Sequence, residues 1–243
     1  MASNFGGFPN IGQPALPQIP WRQVLIWGGG LGSIGGILLA TIWLLDVFTN
    51  FWWFGNLGYE GIYQTILFHR IWLLLAGTLL FAAISSFNIL LTYRYGRGPQ
   101  VTPIAEDTLA LLRPLTLVGV IFVIAVASLI FGGAAGSRWP TVLGFIHSTP
   151  FNVADPQFDK DISFFVFTLP LHHVVQSWLL GAVIVSTLMT MTMYFIHFTL
   201  RGAVFSMTIP VRIHISVLGA MLLFVLGYGY WLDTYDQVFS TGG

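Results

Sequence analysis

Histidine is the residue type in this chain that could most readily bind a metal or a pigment. Six histidines occur in 243 residues, and three of them, His172, His173 and His197, fall in an uncharged run that could form a membrane helix. The first two are adjacent and would point about 100° apart on a helix. No histidine pair has the i, i+4 spacing beside a carboxylate that a helical metal site needs. The sequence therefore predicts no metal site and expects hydrogen-bonded histidines, with a chlorophyll-type pigment on His197 or His173 as the alternative.

Three aspartates form the acidic cluster of the chain, at Asp155, Asp159 and Asp161. Hard cations prefer oxygen ligands, but the spacing lacks the central glycine and terminal glutamate of an EF-hand loop. We expect Asp155 to cap a turn before Pro156 and Asp161 to cap the segment that follows. A surface cation site on these three carboxylates is the alternative.

The overall composition narrows the class of protein. The chain is 56% hydrophobic and 7% charged, against about 25% charged in soluble domains, which indicates a multi-pass membrane protein. Nine basic and nine acidic residues leave no excess of positive charge for a nucleic acid. The sequence has no cysteine, which excludes disulfides and thiolate chemistry. Neither G-x-S-x-G nor H-E-x-x-H occurs, and no catalytic residue or enzyme activity is predicted.

Membrane helices are predicted wherever about 20 residues pass without a charged side chain. The predicted fold is an all-α polytopic transmembrane helix bundle, with a Gly/Pro-rich cytoplasmic tail over 1–20 and a single membrane domain over 21–243. Pro170 is expected in the first turn of the fourth helix, because proline suits that position. The five helices are predicted near 23–45, 62–93, 114–137, 170–200 and 213–232.

The distribution of charge predicts the orientation, because cytoplasmic loops retain Lys and Arg. The basic residues on one side of the predicted spans are Arg22, Arg94, Arg97, Arg113, Arg201 and Arg212, and those on the other are Arg70, Arg138 and Lys160. Seven of the nine acids fall on the second side. The sequence therefore predicts a bacterial cytoplasmic-membrane protein with a cytoplasmic amino terminus and an extracytoplasmic carboxyl terminus.

Two outer connections are predicted to be long, about 25 residues from Asp46 to Arg70 and about 32 from Arg138 to Leu169. Both mix aromatic and turn residues, which is typical of interfacial helices and re-entrant turns.

Sequence blocks at these loops carry a family resemblance. FTNFWWFGNLGYEGIYQTILFHRI (48–71), DPQFDKDISFFVFTLP (155–170) and GYWLDTYDQVFS (229–240) resemble three blocks of uncharacterised protein family 0182, in order and at similar separations. The resemblance implies a membrane fold with an outward carboxyl end and no known reaction. Family members usually continue into two further membrane helices and a large extracytoplasmic domain, so the chain resembles their amino-terminal membrane portion. Asn56 and Asp159 depart from the residues that the family often has.

Two features predict contacts between helices. Gly28, Gly32 and Gly36 recur every four residues, a small-xxx-small pattern that lets another helix approach closely, either from the same chain or from another subunit. Arg70 is expected to pair with Asp46, Glu60 or another outer acid, because an unpaired arginine within the membrane costs about 2.5–3.5 kcal/mol.

These features favour a non-catalytic membrane protein that is a structural or accessory subunit of a larger membrane complex, with the lipid bilayer and other membrane subunits as partners. One alternative is a small-solute or ion transporter or channel, which would need polar groups facing a cavity within the membrane. Another is a pigment- or lipid-binding accessory of a photosynthetic or respiratory complex. No cofactor is predicted under the leading hypothesis.

Overall fold

The structure, a computed structural model, describes residues 21–96, 106–200 and 207–239. These residues form helices and no β-strand, as the sequence predicts. The tail predicted over 1–20 lies outside the described residues. The α-helices are α1 (Trp21–Asn56), α2 (Glu60–Tyr95), α3 (Glu106–Gly136), α4 (Trp139–Ile146), α5 (Leu169–Leu200) and α6 (Ile209–Asp236).

Five of these helical segments are long and apolar enough to cross a membrane. Each contains one of the five predicted helices almost entirely, so the prediction of a five-span, all-α fold is confirmed. The five spans are 31, 36, 25, 37 and 31 residues long, where about 20 residues are sufficient to cross the hydrocarbon layer. The spans are Ile26–Asn56, Glu60–Tyr95, Leu112–Gly136, Phe164–Leu200 and Ile209–Phe239.

The first outer connection is much shorter than predicted. Helix α1 continues to Asn56 and α2 begins at Glu60, so the expected loop of about 25 residues is wrong. Helix α1 continues past Asp46, and the Asn50 amide, one turn later, donates to the backbone oxygen of Asp46 at 2.8 Å and to its carboxylate at 3.1 Å. The chain reverses at Gly58, whose φ of 76° is accessible to glycine without strain.

The second outer connection is long, as predicted, and contains a short helix, α4. After it come an irregular segment over 147–163 and a π-helical turn, Phe164–Thr168, that leads directly into α5. Pro170 is the second residue of α5, but the helix does not begin there as expected, because the π-helical turn runs into α5 without a break and the Leu169 N–H bonds to Phe164 O. Proline has no backbone N–H to donate, and a π-helical turn is one way in which a helix accommodates such an interruption.

The chain divides into two compact units between Tyr63 and Gln64. In the first unit, the aromatic end of α1 folds onto the start of α2, and the Phe54 ring stacks on Tyr63 at 5.3 Å. The second unit contains the rest of α2 and helices α3 to α6. Its two buried apolar clusters lie toward opposite ends of α5 and α6: one contains Tyr194, Phe198 and Val211, the other Phe165, Leu169 and Leu232.

Helices α2 and α3 meet at small residues in the second unit. A Cβ added at Gly77 would lie 2.8 Å from Ala135 Cβ, and one at Gly132 would overlap Thr78 Oγ1. Beside this contact, the Phe81 and Phe131 rings stack at 4.1 Å. The hydrophobic effect does not drive helices together within lipid, so the close backbone approach and the ring stacking stabilise the α2–α3 contact instead.

Candidate functional site

His214 on α6 is the centre of a buried polar cluster that joins three helices. The Tyr194 hydroxyl of α5 donates to His214 Nδ1 at 2.9 Å, and His214 Nε2 donates to Asn88 Oδ1 of α2 at 3.1 Å. The Asn88 amide nitrogen donates to Ile84 O at 2.8 Å, which orients its oxygen toward the histidine. A neutral imidazole has one donor and one acceptor nitrogen, so both ring nitrogens of His214 are satisfied.

The cluster continues along α2 and α5 as two stripes of small polar side chains. Ser85 and Thr92 flank Asn88 on α2, while Ser186 and Thr190 precede Tyr194 on α5, and all of them are buried. Thr92 and Ser186 donate to carbonyls of their own helices. Within 21–96, 106–200 and 207–239, Ser85 Oγ and Thr190 Oγ1 have no hydrogen-bond partner. The two stripes therefore place polar side chains, two of them without a hydrogen-bond partner among the described residues, inside the helix bundle.

His197 lies where α5 passes the end of α2. Its ring meets the Tyr93 ring edge-on at 5.9 Å, and a Cβ added at Gly96 would lie 2.6 Å from His197 Cδ2. The histidine therefore takes part in a helix–helix contact.

A second polar cluster joins the other ends of α5 and α6. The Tyr228 hydroxyl is hydrogen-bonded to His172 Nδ1 at 2.7 Å, and His173 Nε2 lies 3.1 Å from Asp236 Oδ2. The Gln176 amide donates to Val225 O at 3.3 Å. Asp233 also approaches, and one ligand atom from each of His173, Asp233 and Asp236 lies within 4.8 Å of the others. These three residues could share a divalent cation.

Two of the cavities in the described part of the second unit are large enough to hold a small molecule. One, of about 490 Å³, is lined by residues of both charges and by polar groups, including Arg138, His173, Ser177 and Asp236. The other is an apolar groove of about 480 Å³ between α3 and α5, with one residue from α2.

Asp155 and Asp161 organise the loop that precedes α5, and both predicted capping roles are confirmed. Asp155 accepts from the backbone N–H of Gln157 and Phe158 at 2.9 and 2.8 Å. Asp161 accepts from the N–H groups of Phe151, Asn152 and Ser163, at 3.1, 2.7 and 2.8 Å. Both carboxylates therefore bind backbone donors, and a shared cation with Asp159 stays a prediction.

The carboxylate of Asp161 also makes the stability of this loop depend on pH. Hydrogen bonds, first from the Ser163 side chain and backbone and then from the other N–H groups, lower its pKa from 3.8 to about 2. Because the pKa of Asp161 is lower in the folded protein than in the unfolded chain, its ionised form stabilises the fold at every pH above about 4. This stabilisation is present at neutral pH and is lost as the pH falls from about 4 to about 2.

We expect Asp161→Ala to loosen this loop, because three backbone N–H groups lose their acceptor. Trypsin should then cleave after Lys160 several-fold faster in the detergent-solubilised protein at neutral pH. Asp159→Asn is the matched control, since Asn tolerates the φ of 52° at that position. Equal cleavage rates in both variants would show that Asp161 does not hold the loop.

The other predicted contacts have different outcomes. A Cβ added at Gly28, Gly32 or Gly36 would meet no described atom within 4 Å, and what packs on this stripe stays a prediction. Asp46 and Glu60 belong to the first unit and Arg70 to the second, and the predicted pairing of Arg70 stays a prediction.

The clusters around His214 and His173 were not found from the sequence. Asn88 and His214 are 126 residues apart, and neither has a motif around it. The available signal was the recurrence of small polar residues at helical spacing on α2 and α5, at Ser85, Asn88 and Thr92 and at Ser186, Thr190 and Tyr194.

Comparison with known proteins confirms the family resemblance. The profile of the Uncharacterised protein family (UPF0182) matches residues 29–243. The chain is 31% identical over 232 residues to a UPF0182 protein of Mycobacterium tuberculosis, 30% over 216 residues to one of Rhodococcus jostii and 28% over 216 residues to one of Rhodococcus erythropolis.

These alignments cover 92%, 86% and 86% of the chain, but only 23%, 22% and 22% of the relatives. The chain thus spans less than a quarter of the length of the relatives it matches. No solved structure matches it. Because the family profile covers nearly all of the sequence, the chain belongs to the uncharacterised protein family UPF0182.

Proposed function

We propose that this chain is a non-catalytic integral membrane protein, a structural or accessory subunit that packs within a larger membrane complex. The proposal is supported by hydrogen bonds between polar side chains of different helices, which hold the helices together. Both ring nitrogens of His214 are engaged by neighbouring helices, and the Trp178 indole of α5 donates to Phe131 O of α3 at 3.0 Å. The large apolar side chains that these helices expose suit lipid or further membrane helices.

The proposed location is the bacterial cytoplasmic membrane, with the amino-terminal end of α1 in the cytoplasm. The positive-inside rule supports this orientation. If the five spans cross the membrane in alternating directions, one side of the membrane receives the helix ends that carry Arg94, Arg113 and Arg212. The opposite end of α6 carries Asp233 and Asp236. The carboxyl-terminal end of α6 is then extracytoplasmic.

Gentle extraction from the native membrane tests the proposed role. We expect the protein to migrate with a larger complex in native electrophoresis and to retain the same partners after crosslinking in intact cells. A protein that migrates as a monomer in several mild detergents, and that forms no crosslinks in the membrane, would contradict the proposal.

A small-solute or ion transporter is the second candidate, and one observation favours it. The Ser85 and Thr190 hydroxyls are buried in the bundle with no partner among the described residues, as polar groups facing a transport path would be. Ion or solute flux in vesicles that contain the purified protein would favour this candidate. For the pigment-binding alternative, a visible absorbance band that is lost in His197→Ala would be the supporting result.

A further inference from the structure

The apolar groove between α3 and α5 is open to the outside of the bundle. Leu115, Val120 and Val123 of α3 face Leu188 and Met193 of α5 across it. The remaining lining is also apolar apart from two threonines, Thr116 and Thr192. Such a surface suits a hydrocarbon occupant.

One end of the groove lies beside positive charge. The exposed Arg113 precedes Leu115 by two residues on α3. On α2, Ile89 lines the groove and the exposed Arg94 follows it by five residues, toward the same end. Two acids, Glu106 and Asp107, begin α3, roughly 10 Å farther along the helix axis than Arg113 at 1.5 Å per residue.

The size of the groove decides between a lipid chain and a protein helix. A helix about 10 Å across with a rise of 1.5 Å per residue occupies roughly 120 Å³ per residue. The groove volume of about 480 Å³ is close to that of a single turn of helix, so a longer partner helix would lie mostly outside it. Its lining is mostly Leu, Val and Met, whereas close helix contacts in membranes use small residues. A single acyl chain is narrow enough to enter.

We propose that this groove binds one acyl chain of an anionic phospholipid, whose phosphate lies at Arg113. Basic sites between membrane helices bind acidic headgroups in this way. Under the orientation proposed above the lipid belongs to the cytoplasmic leaflet, but binding itself does not rest on that orientation or on the accessory role.

Gly119 allows the groove to be filled selectively. It lines the groove, and a Cβ added there would meet nothing within 4 Å. Gly119→Leu should therefore fill the groove without a clash. Gly133→Leu is the matched control, because Gly133 lies on the same helix, also has open space around its Cβ position and does not line the groove.

The experiment is native mass spectrometry of protein taken from nanodiscs that contain equal amounts of phosphatidylglycerol and phosphatidylcholine with identical acyl chains. We expect the wild type to retain one lipid with about a fivefold preference for phosphatidylglycerol. Arg113→Gln should keep the bound lipid and lose the preference, while Gly119→Leu should lose the lipid. Gly133→Leu should behave as the wild type.

Helical content and thermal unfolding of each variant show whether it is folded. Retention of the lipid by a folded Gly119→Leu protein would overturn the proposal, and so would equal retention of the two lipids by the wild type. A wild type that carries no lipid and appears as a dimer would assign the groove to a second copy and would also overturn it.

Discussion

Replacing Gly132 by alanine is expected to destabilise the α2–α3 contact by about 1–3 kcal/mol, the usual cost of overpacking a close contact. The added methyl group would overlap Thr78 Oγ1 and would lie 2.6 Å from Leu74 O. A hydroxyl can rotate away, but a helical carbonyl oxygen cannot, so the two helices must separate. Their separation also loosens the stacked pair Phe81 and Phe131.

Gly133→Ala is the matched control, because a Cβ at Gly133 would meet nothing within 4 Å. Alanine is the better helix former by about 0.5–1 kcal/mol, so this variant should be as stable as the wild type or slightly more so. Thermal unfolding in one detergent compares the three proteins. Equal melting temperatures for the two variants would show that α2 and α3 do not meet at Gly132.

His214→Leu is the second substitution with a large expected effect. It removes the acceptor of the Tyr194 hydroxyl and the donor to Asn88 Oδ1, and both groups are nearly inaccessible, at 1% and 8% exposure. A buried polar group that loses its hydrogen-bond partner costs a soluble protein about 1–3 kcal/mol of stability. Hydrogen bonds between membrane helices contribute less, about 0.6 kcal/mol on average. We expect a total loss of about 1–3 kcal/mol.

His69→Leu controls for the loss of an imidazole, since the His69 Nδ1 hydrogen bond seen among the described residues is local, 2.8 Å from Thr65 O one turn earlier. Its effect should be within about 0.5 kcal/mol. A double-mutant cycle between His214→Leu and Asn88→Val should give a coupling of about 0.5–1.5 kcal/mol. Strictly additive effects would show that the two side chains do not interact.

The five spans could be predicted because lipid imposes a simple constraint, about 20 apolar residues with every backbone group bonded inside the helix. The first outer connection was mispredicted for a related reason. Aromatic residues and Asp46 resemble a membrane edge, yet the backbone stays helical through them until a residue with positive φ, Gly58, allows the reversal.

The contacts between helices were much harder to predict. Small residues recur in both α1 and α3, but sequence alone does not say that Gly132 meets Thr78 whereas Gly133 is open. Likewise, the partners of His214 and His173 depend on how α2, α5 and α6 align, and no local pattern encodes that alignment. Asp155 and Asp161 were predictable because their hydrogen bonds are made within one short loop.

The absence of cysteine in the chain allows the membrane topology of the five spans to be measured directly. Ser148→Cys places a thiol in the exposed segment after α4, and Met207→Cys places one between α5 and α6. In sealed, right-side-out spheroplasts, a membrane-impermeant maleimide should label the first variant at once and the second only after permeabilisation. Equal labelling of both before permeabilisation would contradict the proposed membrane topology.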